Sequence, residues 1–135
     1  MENKYDVIVI GSGPGGEGAA MTCAKEGMKV AVCEEFSLVG GSNTHKGTIP
    51  SKALRHASQI LYDSSRFEGT AYQELLRKTA NVIDSQVKLR HGFYTRNGVD
   101  LLIGRARFLN ANSIEVREST GLTNTFYADS FIVAT

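Results

Sequence analysis

The sequence has no tryptophan, only two cysteines and two prolines, and no dominant sign of charge. Each scarcity closes off a class of function. Cys23 and Cys33 form no C-x-x-C pair and share no metal-ligand spacing with histidine, so they read as small buried hydrophobes in a reducing compartment. Fifteen Lys and Arg against fourteen Asp and Glu leave a net charge of +1, which gives no electrostatic footprint for a nucleic acid or a membrane surface. The apolar runs are far shorter than the ~20 residues that span a bilayer. Met1 to Lys4 lead straight into an apolar run, so no signal peptide is expected and the cytoplasm is the expected location. Internal repeats, low-complexity tracts and linkers are also lacking, and no domain boundary is visible within the 135 residues.

What is present is concentrated in the first forty residues. Tyr5 to Ile10 is a short apolar run, broken at Gly11-Ser12-Gly13-Pro14-Gly15-Gly16. An alanine-rich helical stretch from Glu17 to Glu26 follows, Gly27 stops it, and Lys29 to Cys33 forms a second apolar run closed by Glu34. Strand, glycine turn, helix, strand and acid in this order are the dinucleotide-binding fingerprint in its required context. Gly11 permits the tight turn, Gly13 lets the backbone approach a pyrophosphate, and Gly16 lets helix and strand pack closely. The helix N-terminus offers N–H groups and a positive dipole end to phosphates. Glu34 stands 23 residues after Gly11, close to the spacing of ~20 for an acid that accepts ribose hydroxyls. NAD and FAD sites share this motif, so it does not choose between them.

Residues 35–50 read as irregular. Ser51 is placed to N-cap a helix carrying Ala53, Leu54, Ala57, Ile60 and Leu61 at helical spacing. Asp63 to Thr70 is a polar break. A long helix from about Tyr72 to Asn97 carries a stripe of Leu75, Leu76, Val82, Ile83, Val87, Leu89 and Phe93. Lys88, Arg90 and Arg96 read as one side of a solvated helix, and Phe93 and Tyr94 as core or interface. His56 and His91 read as surface groups. Short β segments are expected at 99–103, 105–109, 113–117 and 126–134, with turns at 110–112 and 119–121. The expected architecture is α/β: an incomplete, Rossmann-like, doubly wound parallel sheet with a small antiparallel element near the C-terminus. The chain stops on the apolar run Ser130 to Thr135 without a closing turn, which suggests a fragment of a larger protein.

The segment Gly40-Gly41-Ser42-Asn43-Thr44-His45-Lys46-Gly47-Thr48-Ile49-Pro50-Ser51-Lys52 resembles the flavin loop of the FAD-dependent pyridine-nucleotide disulfide oxidoreductases, such as dihydrolipoamide dehydrogenase and glutathione reductase. The family pattern, G-G-T-C-x-x-x-G-C-I-P-S-K, carries two redox cysteines; Asn43 and Thr48 stand in their places. Neither can form a thiolate, so dithiol–disulfide exchange is excluded at these positions. The run from Thr44 through His56, together with Gly92-Phe93-Tyr94, resembles the transhydrogenase branch of that family, and the likeness extends through Ala106 to Thr135.

The resemblance implies that the first dinucleotide is FAD and that NAD(P) binds in a second domain outside residues 1–135. It implies that Gly11, Gly13 and Gly16 cradle the FAD pyrophosphate and that Glu34 holds the adenosine ribose. It places Gly40 and Gly41 against the cofactor, Thr48 facing the flavin ring, Lys52 beside its reactive edge, the Ala106 backbone at the adenine, and Thr135 in an element touching FAD. Lys52 would then be a fixed cation stabilising anionic reduced flavin. His45 reads as packing or hydrogen bonding near the flavin. Without a disulfide, hydride taken from NADPH returns to NAD⁺ in a ping-pong transhydrogenation by a homodimeric whole protein; these residues alone are not expected to catalyse it. The alternatives are a non-catalytic nucleotide-binding remnant, a plain NAD-dependent dehydrogenase, which does not need the Ile49-Pro50-Ser51-Lys52 loop, and a disulfide reductase, which the loss of both cysteines opposes.

Overall fold

The computed structural model describes residues 3–64 and 71–135. Strand β1 (Lys4–Ile10) leads through the glycine turn into helix α1 (Pro14–Lys25), which returns to strand β2 (Val30–Glu34). Helices α2 (Gly41–His45), α3 (Thr48–Asp63) and α4 (Ala71–Arg96) follow. Strands β3 (Asp100–Ile103), β4 (Arg105–Asn110), β5 (Ser113–Arg117) and β6 (Thr123–Val133) complete the chain. The strand order is β3-β2-β1-β6-β5-β4. β3, β2, β1 and β6 run parallel, whereas β4, β5 and β6 form an antiparallel meander.

Strand β6 belongs to both parts. Its residues Thr123 to Tyr127 pair with β5, and Tyr127 to Val133 pair with β1. The meander folds back over the parallel strands, so that β4 touches β2; the Gly104 amide, donating to the Glu34 carbonyl at 2.8 Å, continues the ladder between β2 and β3. Two apolar layers result. Val7, Val9, Val30 and Val32 pack on the helical side with Ala20, Val39, Tyr94 and Val99. Ile8, Ala31 and Cys33 pack on the meander side with Ile114, Val116 and Ala128. All five residues of β2 are buried, which explains why Val30 to Cys33 are apolar without alternation. Burying a valine or isoleucine side chain contributes roughly 1.5–3 kcal/mol, so these two layers hold the sheet together.

The α/β sheet with its small antiparallel element is as expected; several boundaries are not. Helix α1 starts three residues before Glu17, because Pro14 in its first turn has a preset φ and lacks only an amide that the helix leaves unpaired. Residues 35–50 contain α2 and the first turn of α3. Ser51 is not a cap: Gly47 holds that position, and the Ser51 hydroxyl donates to the Thr48 carbonyl at 3.1 Å. Strand β6 begins at Thr123, three residues earlier than the apolar run suggests. The stripe on α4 divides. Leu75 packs with Ala57 and Leu61 of α3 and Val87 packs on the helical layer, but Leu76, Val82 and Leu89 are exposed. Arg90 is not solvated; it reaches Glu17 of α1 at 3.0 Å. Most of the polar break expected at 63–70 lies outside the described residues.

Candidate functional site: a dinucleotide cleft at the strand carboxyl ends

The strand order reverses direction between β1 and β6, and a cleft of roughly 1020 Å³ opens there. This is where ligands bind in open α/β sheets, outside the carboxyl ends of the strands. Its walls are the glycine turn after β1, Cys33 and Glu34 of β2, part of α2, Gly104 with the first two residues of β4, Arg105 and Ala106, and Ala134 and Thr135 after β6.

Steric contacts separate the glycines of the turn. A Cβ on Gly16 would collide with the Gly11 carbonyl oxygen, so helix and turn meet too closely for any side chain. Gly11 itself has φ +107° and abuts the Ala134 carbonyl, locking the turn to the end of β6. Gly13 differs. It caps α1 with φ −66°, and a Cβ there would meet nothing within 4 Å, so the fold alone does not require glycine at this point. No side chain caps α1, leaving its first amides and positive dipole end to the cleft, where Gly13, Pro14 and Gly15 form the wall.

Glu34 is 6% exposed and its carboxylate is held from three directions. The Ser12 amide donates to Oε2 at 3.0 Å, the Ser12 hydroxyl donates to the same oxygen, and the Phe36 amide donates to Oε1 at 3.1 Å. Beside it, Cys33 donates its thiol to the Gly104 carbonyl at 3.3 Å. Burial, and secondarily the Glu34 charge, push that thiol up to about 12, which keeps Cys33 protonated and unreactive at neutral pH. At the rim, Lys46 lies 5.4 Å over the Phe36 ring and Arg105 stands 4.0 Å from Glu35. His45 is tied to the Val39 carbonyl at 3.0 Å, a hydrogen-bonding role.

Gly11, Gly13, Glu34, Gly41, Ala106 and Thr135 thus come together on the cleft wall. Gly16 lies beneath it, and Gly40 lies behind it against the Thr44 side chain. Thr48 and Lys52 do not line the cleft; both are exposed in the first turn and a half of α3, and Lys52 makes no ion pair among the described residues. Of the two positions that carry cysteine in the resembling family, Asn43 lines the cleft and Thr48 does not. Ser12 escaped the sequence reading. Its signal was a hydroxyl inside the glycine turn, which spacing rules treat as a variable position.

Comparison with known proteins decides the family. Residues 5–135 match the family described as pyridine nucleotide-disulphide oxidoreductase. The chain belongs to that family. Among its curated relatives, the soluble pyridine nucleotide transhydrogenase of Vibrio parahaemolyticus is 50% identical over 142 residues, covering 98% of this chain and 30% of the relative. The enzyme of the same name from Serratia proteamaculans is 49% identical, covering 97% and 30%. The chain therefore spans about 30% of the length of these relatives. Among solved structures, the Cu(II) complex of the HOCl-induced flavoprotein disulfide reductase RclA from Escherichia coli superposes with a TM-score of 0.84 at 26% identity, covering 98% of this chain and 29% of that one. Pyridine nucleotide-disulphide oxidoreductase membership agrees with the sheet, the reversal point and the cleft. No helix among the described residues is long and apolar enough to cross a membrane.

Proposed function

We propose that this chain is the FAD-binding portion of a longer flavoprotein that moves hydride between NADPH and NAD without a redox disulfide. Two observations support the cofactor. The uncapped N-terminus of α1 meets the cleft beside a glycine the fold does not need, and a buried acid closes the next strand. Both suit a pyrophosphate joined to a ribose. In this reading the turn at Gly11, Gly13 and Gly16 accepts the pyrophosphate, Glu34 accepts a ribose hydroxyl, and Gly40 and Gly41 hold α2 against the turn. The Ala106 backbone meets the adenine and Thr135 closes the wall. Thr48 and Lys52 serve the flavin end, Lys52 as the cation.

When bound, FAD supplies a two-electron carrier that exchanges hydride with nicotinamides. The chain's own contribution is to bind and orient it, since Cys33 is held as a thiol and Asn43 and Thr48 carry no sulfur. The observation that carries the transhydrogenase reading is near 50% identity to relatives bearing that name, combined with those two replaced positions. Nicotinamide binding and homodimer formation are assigned to sequence outside these residues. The test is a kinetic comparison on the whole protein, with NADPH as donor and either an NAD analogue or a disulfide as acceptor. Faster turnover with the nicotinamide acceptor is expected; faster disulfide reduction refutes the proposal.

A further inference from the structure

Ser12 is fully buried, and its hydroxyl is committed on both sides. It donates to Glu34 Oε2 and accepts from the Gly40 amide at 2.9 Å. One oxygen thereby joins the turn after β1, the end of β2 and the entry to α2. A carboxylate has about four acceptor positions. Here the Ser12 amide and hydroxyl fill both on Oε2, and the Phe36 amide takes one on Oε1. One position remains, on a side chain that is 6% exposed and lines the cleft.

We infer that Ser12 is a positioning residue that leaves Glu34 a single free acceptor, so the cleft grips the adenosine ribose through one hydroxyl and ignores the other. This rests on the flavin reading above. It adds a specificity that the presence of an acid alone does not give, because an unpinned carboxylate has room to accept from both hydroxyls of a ribose.

The test compares binding of three ligands to the chain: FAD, FAD built on 2′-deoxyadenosine, and FAD built on 3′-deoxyadenosine. One deoxy analogue is expected to bind roughly ten- to a hundredfold more weakly, the range for losing a hydrogen bond to a charged group, while the other stays within about twofold of FAD. In Ser12→Ala the freed carboxylate turns to meet both hydroxyls, so the gap between the analogues closes. Ser12→Gly removes the same hydroxyl and supplies the second variant, with circular dichroism reporting the fold of each. If both analogues weaken alike in the unsubstituted chain, or neither does, the inference is wrong while the flavin reading stands. A gap that persists in both folded variants makes Ser12 merely structural and also overturns it. Failure to bind FAD itself overturns the flavin reading, and this inference with it.

Discussion

Arg90 and Glu17 join α4 to α1 across the helical face of the sheet. Arg90 Nε lies 3.0 Å from Glu17 Oε2, with the side chains only 14% and 23% exposed. The contact is ionic, since the N–H is not aligned for a hydrogen bond. It fixes the first turn of the helix whose N-terminus meets the cleft.

Removing one partner of such a pair strands the other charge. Arg90→Ala is expected to lower the unfolding free energy by about 1–3 kcal/mol, less than a fully buried pair because both groups keep some solvent contact. Urea unfolding of the two chains checks this. An unchanged midpoint would show that the pair contributes no stability.

Tyr94 sits in the same region with its ring fully buried, and its hydroxyl has no hydrogen-bond partner among the described residues. An unsatisfied buried hydroxyl costs about 1–3 kcal/mol. Tyr94→Phe is therefore expected to leave stability unchanged or raise it by up to about 1 kcal/mol, the ring packing being retained. A clear loss of stability in thermal unfolding would mean that the hydroxyl is satisfied.

The glycine turn separates folding from binding. Gly16→Ala forces a Cβ against the Gly11 carbonyl, and it is expected to cost about 3 kcal/mol or more and to abolish FAD binding. Gly13→Ala meets no atom of the chain, so it is expected to fold within about 1 kcal/mol of the unsubstituted protein yet lose FAD. Parallel unfolding and flavin titrations distinguish them. Intact FAD binding in Gly13→Ala would remove that residue from the site.

Much of this was legible in the sequence because the fingerprint couples local rules to one tertiary arrangement. Tyr5 to Glu34 folds as strand, turn, helix and strand since apolar runs, Gly11 and the stop at Gly27 all agree. Helix α2 was not legible. It has five residues, no apolar period, and a start at Gly40 with φ +117°. Pro50 looked like the end of a loop, but it occupies the first turn of α3, where its missing amide costs nothing. The dual role of β6 depends on where β1 and β5 arrive, which local periodicity does not encode. Arg90 and Ser12 were misread or missed for the same reason: their partners, Glu17 and Glu34, are distant in sequence.

Stability should fall in alkaline solution. Cys33 is raised from 9.0 to about 12 by burial and the Glu34 charge. Tyr94 is raised from 10.0 to about 12 by burial first and the Glu17 charge second, with Arg90 opposing. Tyr5 is raised from 10.0 to about 12 by burial and by its hydrogen bond to Asp100. The unfolded chain releases these protons before the folded one does. The contribution is thus fully present below the unfolded values and is lost as pH rises from 9 toward 12. Urea midpoints should be lower at about pH 11 than at about pH 8, with a shallower fall in Tyr94→Phe. A flat profile would contradict this.

Flavin fluorescence during titration of FAD with the chain reports directly on a flavin site at the turn between β1 and α1. A saturable change is expected in the unsubstituted chain and is expected to disappear in folded Gly13→Ala. No saturable change, or the same change in both, would contradict a flavin site at the turn between β1 and α1.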